Sequence, residues 1–477
     1  MIVRAHVLLK IKADGRDTAR VAAMGDRLDP LPSDETFAAV VGDGPKVLAI
    51  AAMQAHCASR SEQLHISDAD VVGGFLHIPL QSKVPMFLLL PANLPHPLAG
   101  RYVEILHALY GLRESNQLFG REMTRILTEK AGFLPTQGDP QLFVKSDAKD
   151  PGLKCLASLT VDDVLILTNC VAFRQCLLDA LTARFGPLTI NLESTVHTGI
   201  EIGRLPCGGV RLTQDSAIGR AASVVGVSMC ATVDMPFNSE FFADLAGEEA
   251  VSVDSTAYSS LMGKLVQFCK TRHEIRLAIS YLCSFNVHPK EGHFRRAIQV
   301  LRYLASTPGI GCVFRASAVE LVVYTDAAFG VFRDGLSSTA NIFCIGAAGA
   351  PFAACGRSQT DVATCPMTAE YYAAGAACKD IVFYRQLLTD LGWSPFGPTR
   401  VCVDNKTMLS LVIAPVVSLK SRHIEIHHPY IRQLRTRGFI ALQYVSSPLM
   451  RANVLTKILT RIKFLAGRAS LFNSVVV

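Results

Sequence analysis

The chain has no charge-free apolar run approaching the roughly 18 residues that a membrane-spanning helix needs. The nearest, Ala340 to Cys355, is interrupted by Gly346, Gly349 and Pro351, which suits strands and turns better. The opening MIVRAHVLLKIK is too short an apolar stretch, and too soon broken by Lys10 and Lys12, for a signal peptide. The expectation is a soluble, intracellular protein. The fourteen cysteines include no Cys-x-x-Cys pair and no Cys/His cluster at zinc-ligand spacing, so buried free thiols are expected in place of disulfides or a zinc knuckle. A Gly-rich phosphate loop and a Ser or Cys nucleophile motif are missing too, which argues against the commoner metabolic enzymes. Charge is sparse, at 18% of residues, while half the residues are apolar, so disorder is not the default state. At 477 residues there is enough chain for two or three domains with ample core. The net charge of +7 has the sign a polyanion binder needs, and by itself decides nothing.

Against this background one stretch stands out. Leu159 to Leu167, LTVDDVLIL, holds Asp162 and Asp163 inside an apolar, β-branched run. Burying an acid is costly unless it is paired or binds metal. Neighbouring strand residues face opposite ways, so the pair is expected at the tip of a tight hairpin. A polar turn is the ordinary reading of these nine residues; the rest of the chain shifts the balance.

The N-terminal part offers a hairpin-like opening (Val7 to Lys12, with Asp14-Gly15 as the turn), a basic position at Arg20, and a helix around Val47 to Ala55. Arg20 would either contact phosphates or be a solvated surface residue. Asp70 heads an apolar run with Phe75 five residues on. A third acid on a second strand is what a two-metal site with Asp162 and Asp163 requires. Two Mg²⁺ ions roughly 4 Å apart need several converging carboxylate oxygens, one ion activating a 3′ hydroxyl and the other steadying pyrophosphate. Residues 186 to 240 pair a short strand with a helix, and helical spacing runs from about 255 to 315. Within it KEGHFRRAIQVLRYLAST is amphipathic, with Arg295, Arg296 and Arg302 on a face that is either solvated or turned to a nucleic-acid backbone.

The segments Phe37-Ala-Ala-Val-Val41, Asp70-x4-Phe75-Leu76, Ala108-Leu-Tyr-Gly-Leu112, Asp139-Pro-Gln-Leu-Phe143 and Val161-Asp-Asp163 resemble, in order and spacing, the reverse transcriptase of copia-type retrotransposon Pol polyproteins. The likeness continues through Gly199-Ile-Glu-Ile202, Tyr258-x-Ser-Leu-x-Gly263, Thr271-Arg272 and Leu301-Arg-Tyr-Leu304. It implies that Asp70, Asp162 and Asp163 are polymerase metal ligands and that Phe75 is a gate against a ribose 2′-hydroxyl; taken alone, Phe75 reads as a core aromatic.

A second unit follows. Leu321 to Thr325 reads as a strand ending in Asp326, Thr368-Ala-Glu-Tyr371 opens a helix through Leu391 with Glu370 in its first turn, and Val401 to Val403 is a strand ending in Asp404-Asn405. This resembles the ribonuclease H domain of the same family, whose other marks here are Ser338-Thr339, Gln359-Thr360, His423-Ile424 and Ala452-x-x-Leu-Thr-Lys457. The resemblance implies metal binding by Asp326, Glu370 and Asp404, with water activated against the RNA strand of a hybrid read by shape. Each acid also has an ordinary alternative: Glu370 as a charge near a helix N-terminus, Asp326 and Asp404 as turn residues.

The implied architecture is a multidomain α+β and α/β chain, a right-hand polymerase with fingers, ferredoxin-like palm and helical extension, followed by a ribonuclease H-like domain. The expected divisions are fingers and palm at 1–245, a helical thumb or connection at 246–318, the nuclease at 319–460 and a tail at 461–477. The implied cofactor is Mg²⁺ or Mn²⁺. The implied partners are an RNA template, a DNA or tRNA primer, RNA–DNA hybrid and deoxynucleoside triphosphates, with no membrane. Family members work in cytoplasmic particles before their DNA reaches the nucleus. With no aspartic-protease signature and no evident integrase segment, the chain reads as the C-terminal part of such a polyprotein.

Four positions depart from the family pattern. Thr160 stands where an aromatic precedes Val-Asp-Asp, Glu114 replaces a Gln beside the incoming nucleotide, Thr18 replaces a Lys near Arg20, and Asn453 replaces the fourth nuclease carboxylate. Asn453 can still offer an amide oxygen to a metal but brings no charge. An alternative is therefore a decayed, transposon-derived protein that only binds nucleic acid.

Overall fold

The double-acid stretch folds as the hairpin it predicts. The computed structural model describes residues 2–11, 17–24, 41–80, 84–206, 208–227, 233–243, 245, 247–332, 335–413 and 427–472. Contacts divide them into two units, Met1–Gly42 with His65–Glu193, and Asp43–Leu64 with Ser194–Val477.

The first unit contains β1 (Ile2–Ile11), β2 (Asp17–Ala23), β3 (His65–Val71), β4 (Phe87–Leu89), β5 (Tyr102–Glu104), β6 (Leu134–Pro135), β7 (Leu142–Ser146), β8 (Lys154–Thr160), β9 (Asp163–Thr168) and β10 (Leu188–Asn191). One sheet has the order β2-β1-β4-β5; the larger, wholly antiparallel one has the order β10-β3-β9-β8-β7-β6. Thr160 pairs with Asp163, leaving Val161 and Asp162 as the turn between β8 and β9. Val161 takes φ 58 there, the left-handed conformation that two-residue hairpins favour and that a β-branched residue adopts only at a cost of about 1–3 kcal/mol.

Alternation along these strands sends Cys155, Ala157, Leu159, Val164 and Ile166 into one core with Ala69 and Val71. The helices Ser115–Arg125 and Val171–Phe185 cover that face, contributing Phe119 and Met123, and Leu177, Leu178, Leu181 and Phe185 at helical spacing. Each such side chain stabilises the unit by about 1.5–3 kcal/mol. Gly111 has φ 88, and a Cβ there would lie 2.0 Å from the Ala23 carbonyl oxygen, which accounts for glycine in the Ala108–Leu112 segment.

The second unit contains β11 (Val196–His197), β12 (Ile200–Arg204), β13 (Val210–Thr213), β14 (Cys312–Phe314), β15 (Leu321–Ala328), β16 (Ser338–Ile345), β17 (Pro351–Ser358), β18 (Thr399–Val403) and β19 (Ile440–Tyr444). A small antiparallel sheet runs β11-β12-β13-β14. The other sheet is mixed, in the order β17-β16-β15-β18-β19, antiparallel among the first three strands and parallel from β15 through β19. The helix Asp43–Ser59, buried along most of its length, packs on β16 and β17, and the long helix Pro366–Asp390 packs on β15 and β16. Helices Ser255–Phe268, Arg276–Cys283 and Glu291–Ser306 fill the stretch where helical spacing was read. The marks carried by that stretch are packing residues. Tyr258 is buried and donates to the Leu282 carbonyl, and Arg272 is buried with Glu274 at 2.7 Å while donating to Thr307. Exposed Arg295 pairs with half-buried Glu291, whereas Arg296 donates to Ala243 and Tyr281.

Three expectations need adjustment. The division falls after Glu193, not at 245/246, because β12 and β13 join the sheet that β14 completes and the following helix, Asp215–Val225, packs on Glu291–Ser306. The terminal segment is no tail: Arg461–Phe472 is a helix burying Phe464, Leu471 and Phe472. The long helix starts at Pro366, a residue suited to a first helical position, so Glu370 lies one turn in, not in the first turn. The Asp14-Gly15 turn, Phe37 to Val40 and His423-Ile424 lie outside the described residues. Among the described residues no helix is long and apolar enough to cross a membrane, and the described cysteines are free thiols.

Candidate functional site

In the second unit the acids converge through strand register. Parallel pairing of β15 with β18 matches Val322 to Arg400, Val323 to Val401 and Tyr324 to Cys402. Continued by two residues, that register sets Asp326 beside Asp404, which directly follows Val403, and the even spacing sends both side chains to one face. Glu370 reaches the same place from the long helix. Small residues allow the close approach: Ala369 and Ala373 meet Ala327 and Ala363. Two buried amides fix the helix against β16. Gln359 donates to Thr339 at 3.0 Å and to the Ala369 carbonyl at 2.9 Å, and Asn341 donates to the Ala373 carbonyl at 3.2 Å.

Carboxylate oxygens of Asp326, Glu370 and Asp404 all lie within 4.8 Å of one another. Asp326 is fully buried and Glu370 nearly so. Burial first, and then the charges of Asp326 and Asp404, push the Glu370 carboxyl up to about 9. Burial likewise raises Asp326, against the pull of Lys457. A cluster of hard oxygen donors in which two buried carboxyls are pushed toward holding protons is short of positive charge, and so fits a divalent cation such as Mg²⁺ or Mn²⁺. Among the described residues the positive charge paired with these acids is Lys457, whose ammonium donates to Asp326 at 3.0 Å and lies 3.7 Å from Asp404. Thr456 donates to the other oxygen of Asp326. Asn453 offers its amide oxygen to Lys457 and donates through its nitrogen to Ser447.

In the first unit Asp70 on β3 stands directly across from Asp163 on β9, with Asp162 next to it at the turn. All three are partly exposed, and Asp70 and Asp163 lie on the face opposite the helical layer. Among the described residues the only group of three metal-ligating side chains within 4.8 Å is the one in the second unit; the Asp70 set does not close to that distance. Phe75 is 5% exposed and packs edge to face on Tyr110 and Phe119, at 4.7 and 5.5 Å between ring centres, as a core aromatic does. Glu114, partly exposed, immediately precedes the helix Ser115–Arg125. Arg20 lies on β2 opposite Leu8, and its side chain lies outside the described set. Asp139 is a structural carboxylate, accepting from the backbone of Gly42 and Gln141.

Thr456, Lys457 and Gln359 acquire roles that the sequence reading had not given them. Each lies in a segment already marked by its resemblance, and that was the available signal.

No protein-family model matches the chain. Curated relatives do. A retrovirus-related Pol polyprotein from transposon RE1 of Arabidopsis thaliana is 28% identical over 464 residues, covering 95% of this chain and 30% of the relative. One from transposon TNT 1-94 of Nicotiana tabacum is 25% identical over 475 residues, 96% of this chain and 34% of the relative. A putative transposon Ty5-1 protein of Saccharomyces cerevisiae is 26% identical over 318 residues, 65% of this chain and 100% of that protein. The chain is thus similar along nearly its whole length to copia-type Pol polyproteins, and spans about a third of their length. Among solved structures, a ribonuclease H1 isolated from compost aligns with TM-score 0.24 and 16% identity, covering 29% of this chain and 93% of its own. The N-terminal ribonuclease H domain of a Mycobacterium tuberculosis protein aligns with TM-score 0.22 and 15% identity, covering 32% and 99%.

Proposed function

We propose that this chain is an RNA-directed DNA polymerase joined to a ribonuclease H, copying retrotransposon RNA into DNA and degrading the RNA of the resulting hybrid. The observation that carries the reading is the convergence of Asp326, Glu370 and Asp404, in a chain whose other unit sets Asp70 across from Asp163. The first unit would be fingers and palm. Its hairpin tip would present Asp162 and Asp163 with Asp70 beside them and Arg20 would meet phosphates, while Phe75, buried against Tyr110 and Phe119, would shape the nucleotide side from within the core. In the second unit the three acids would orient the scissile phosphate, and Gln359 would hold Glu370 in place. Divalent metal bound by either set would polarise the attacking oxygen and neutralise charge on the phosphate.

The test is primer extension on an RNA template with Mg²⁺ or Mn²⁺, beside an Asp162→Asn/Asp163→Asn variant and an Asp326→Asn variant. The expected result is synthesis lost in the first and hybrid cleavage lost in the second, each sparing the other activity. Unchanged extension in the first variant would overturn the polymerase assignment.

A second reading has its own support. The Asp70 set is open, Glu114 puts an acid where a triphosphate would arrive, and Asn453 holds Lys457 in place of a carboxylate. A chain that binds template-primer, with affinity falling steeply in salt and no turnover with metal, would fit that reading instead.

A further inference from the structure

Lys457 closes a helical segment, Asn453–Thr456, that is unusually well anchored. Buried Arg451, just before it, donates to the carbonyls of Ala347, Gly349, Ser470 and Leu471, tying the segment to the β16–β17 turn and to the terminal helix. Thr456 is itself buried and bonded to Asp326. The lysine is therefore delivered to the acids by a rigid element, not laid over them from solvent. Its ammonium donates to Asp326 Oδ1 and Asn453 Oδ1 and faces Asp404, and these are the oxygens a cation would use.

We propose that Lys457 is the resident cation of the carboxylate site: in the free protein it holds Asp326, Asn453 and Asp404 together, and a divalent metal binds only by displacing it. This rests on the nuclease reading of the site and adds a competitor to it. The arithmetic of charge supports it. With Lys457 in place the three carboxylates carry at most two uncompensated negative charges, and with it displaced at most three, while the Asn453 amide adds none, so the lysine and a divalent ion compete for the same negative charge. The chain also supplies somewhere for the lysine to go. Its side chain is 34% exposed and borders a cavity of about 450 Å³, lined also by Ser447, Asn453, Lys463 and Ser470. A lysine swung into that cavity would join Lys463 on a basic wall, where the phosphate of a bound strand would meet it.

The experiment is a titration of the metal-free full chain with Mn²⁺, followed by calorimetry, together with thermal melts in chelator. Wild type is compared with Lys457→Met, Lys457→Gln and Lys457→Arg. Lys457→Met should bind Mn²⁺ about tenfold more tightly, melt lower than wild type in chelator, and gain more from added Mn²⁺. Lys457→Gln, whose amide can still donate to Asp326, covers the case in which the methionine variant does not fold, and should also bind more tightly. Lys457→Arg should stay near wild type. Affinity in the neutral variants equal to or weaker than wild type overturns the proposal while leaving the metal site intact. Absence of Mn²⁺ binding in every form, with an Asp326→Asn control no different, overturns the site itself.

Discussion

Asp70 and Asp163 are cross-strand partners in the antiparallel ladder of β3 and β9. Like charges placed directly opposite one another oppose folding by up to about 1 kcal/mol. Asp163→Asn should melt at or above wild type in chelator while primer extension is lost. A melt well below wild type would make Asp163 a structural residue.

The turn next to that pair carries its own signature. Val161 adopts φ 58, whereas Val164, three residues on, is fully buried in the core. Val161→Gly relieves the backbone as it loses packing, and should change stability by less than about 1 kcal/mol. Val164→Gly leaves a cavity and should cost about 2–4 kcal/mol. Denaturant midpoints of the two variants decide the point.

Glu122 bridges two helices by accepting from Arg125 at 2.9 Å and from Arg184. The Arg125 bond chiefly, with Arg184 and against burial, holds its carboxyl at about 2, below the ordinary range. A depressed folded value means stability present above the unfolded value near 4.5 and lost as pH falls through 2. Glu122→Gln should lower stability by about 1 kcal/mol at neutral pH, and the gap from wild type should close between pH 4.5 and 2 in chemical denaturation.

Gln359 joins β16 to the turn of the long helix that carries Glu370. Gln359→Ala leaves the Thr339 and Ala369 acceptors without that partner, at about 1–3 kcal/mol. It should also weaken Mn²⁺ binding and slow hybrid cleavage, leaving primer extension as it was. A variant that melts lower yet binds Mn²⁺ with unchanged affinity would confine Gln359 to folding.

Glu114→Gln removes a negative charge from the approach proposed for a triphosphate. A repulsion of about 1 kcal/mol corresponds to a several-fold fall in KM for deoxynucleotide with kcat unchanged, read from steady-state extension. An unchanged KM would remove Glu114 from the nucleotide path.

Local sequence was sufficient for much of this. Two adjacent acids within a β-branched run pointed to a hairpin tip, because strand alternation would otherwise have buried one of them; Val161-Asp162 is that turn and Asp163 is the first residue of β9. The acid after Val403 and the helix acid Glu370 were legible in the same way, whereas the strand expected to end at Asp326 runs on to Ala328 because Ala327 and Ala328 continue the pairing with β16, so Asp326 lies inside it. The helix start was misjudged by two residues because Pro366 opens a helix as readily as it ends a loop.

What the sequence determined, then, is the set of elements and which of them carry a carboxylate, because propensity, alternation and capping act over a few neighbouring residues. What only the tertiary structure decided is which charges meet. The register of β15 on β18 puts Asp326 beside Asp404, and the Arg451 anchor brings Lys457, 131 residues from Asp326, into the same cluster. No local pattern encodes that meeting, since burial and the loss of solvent screening arise only once distant segments pack.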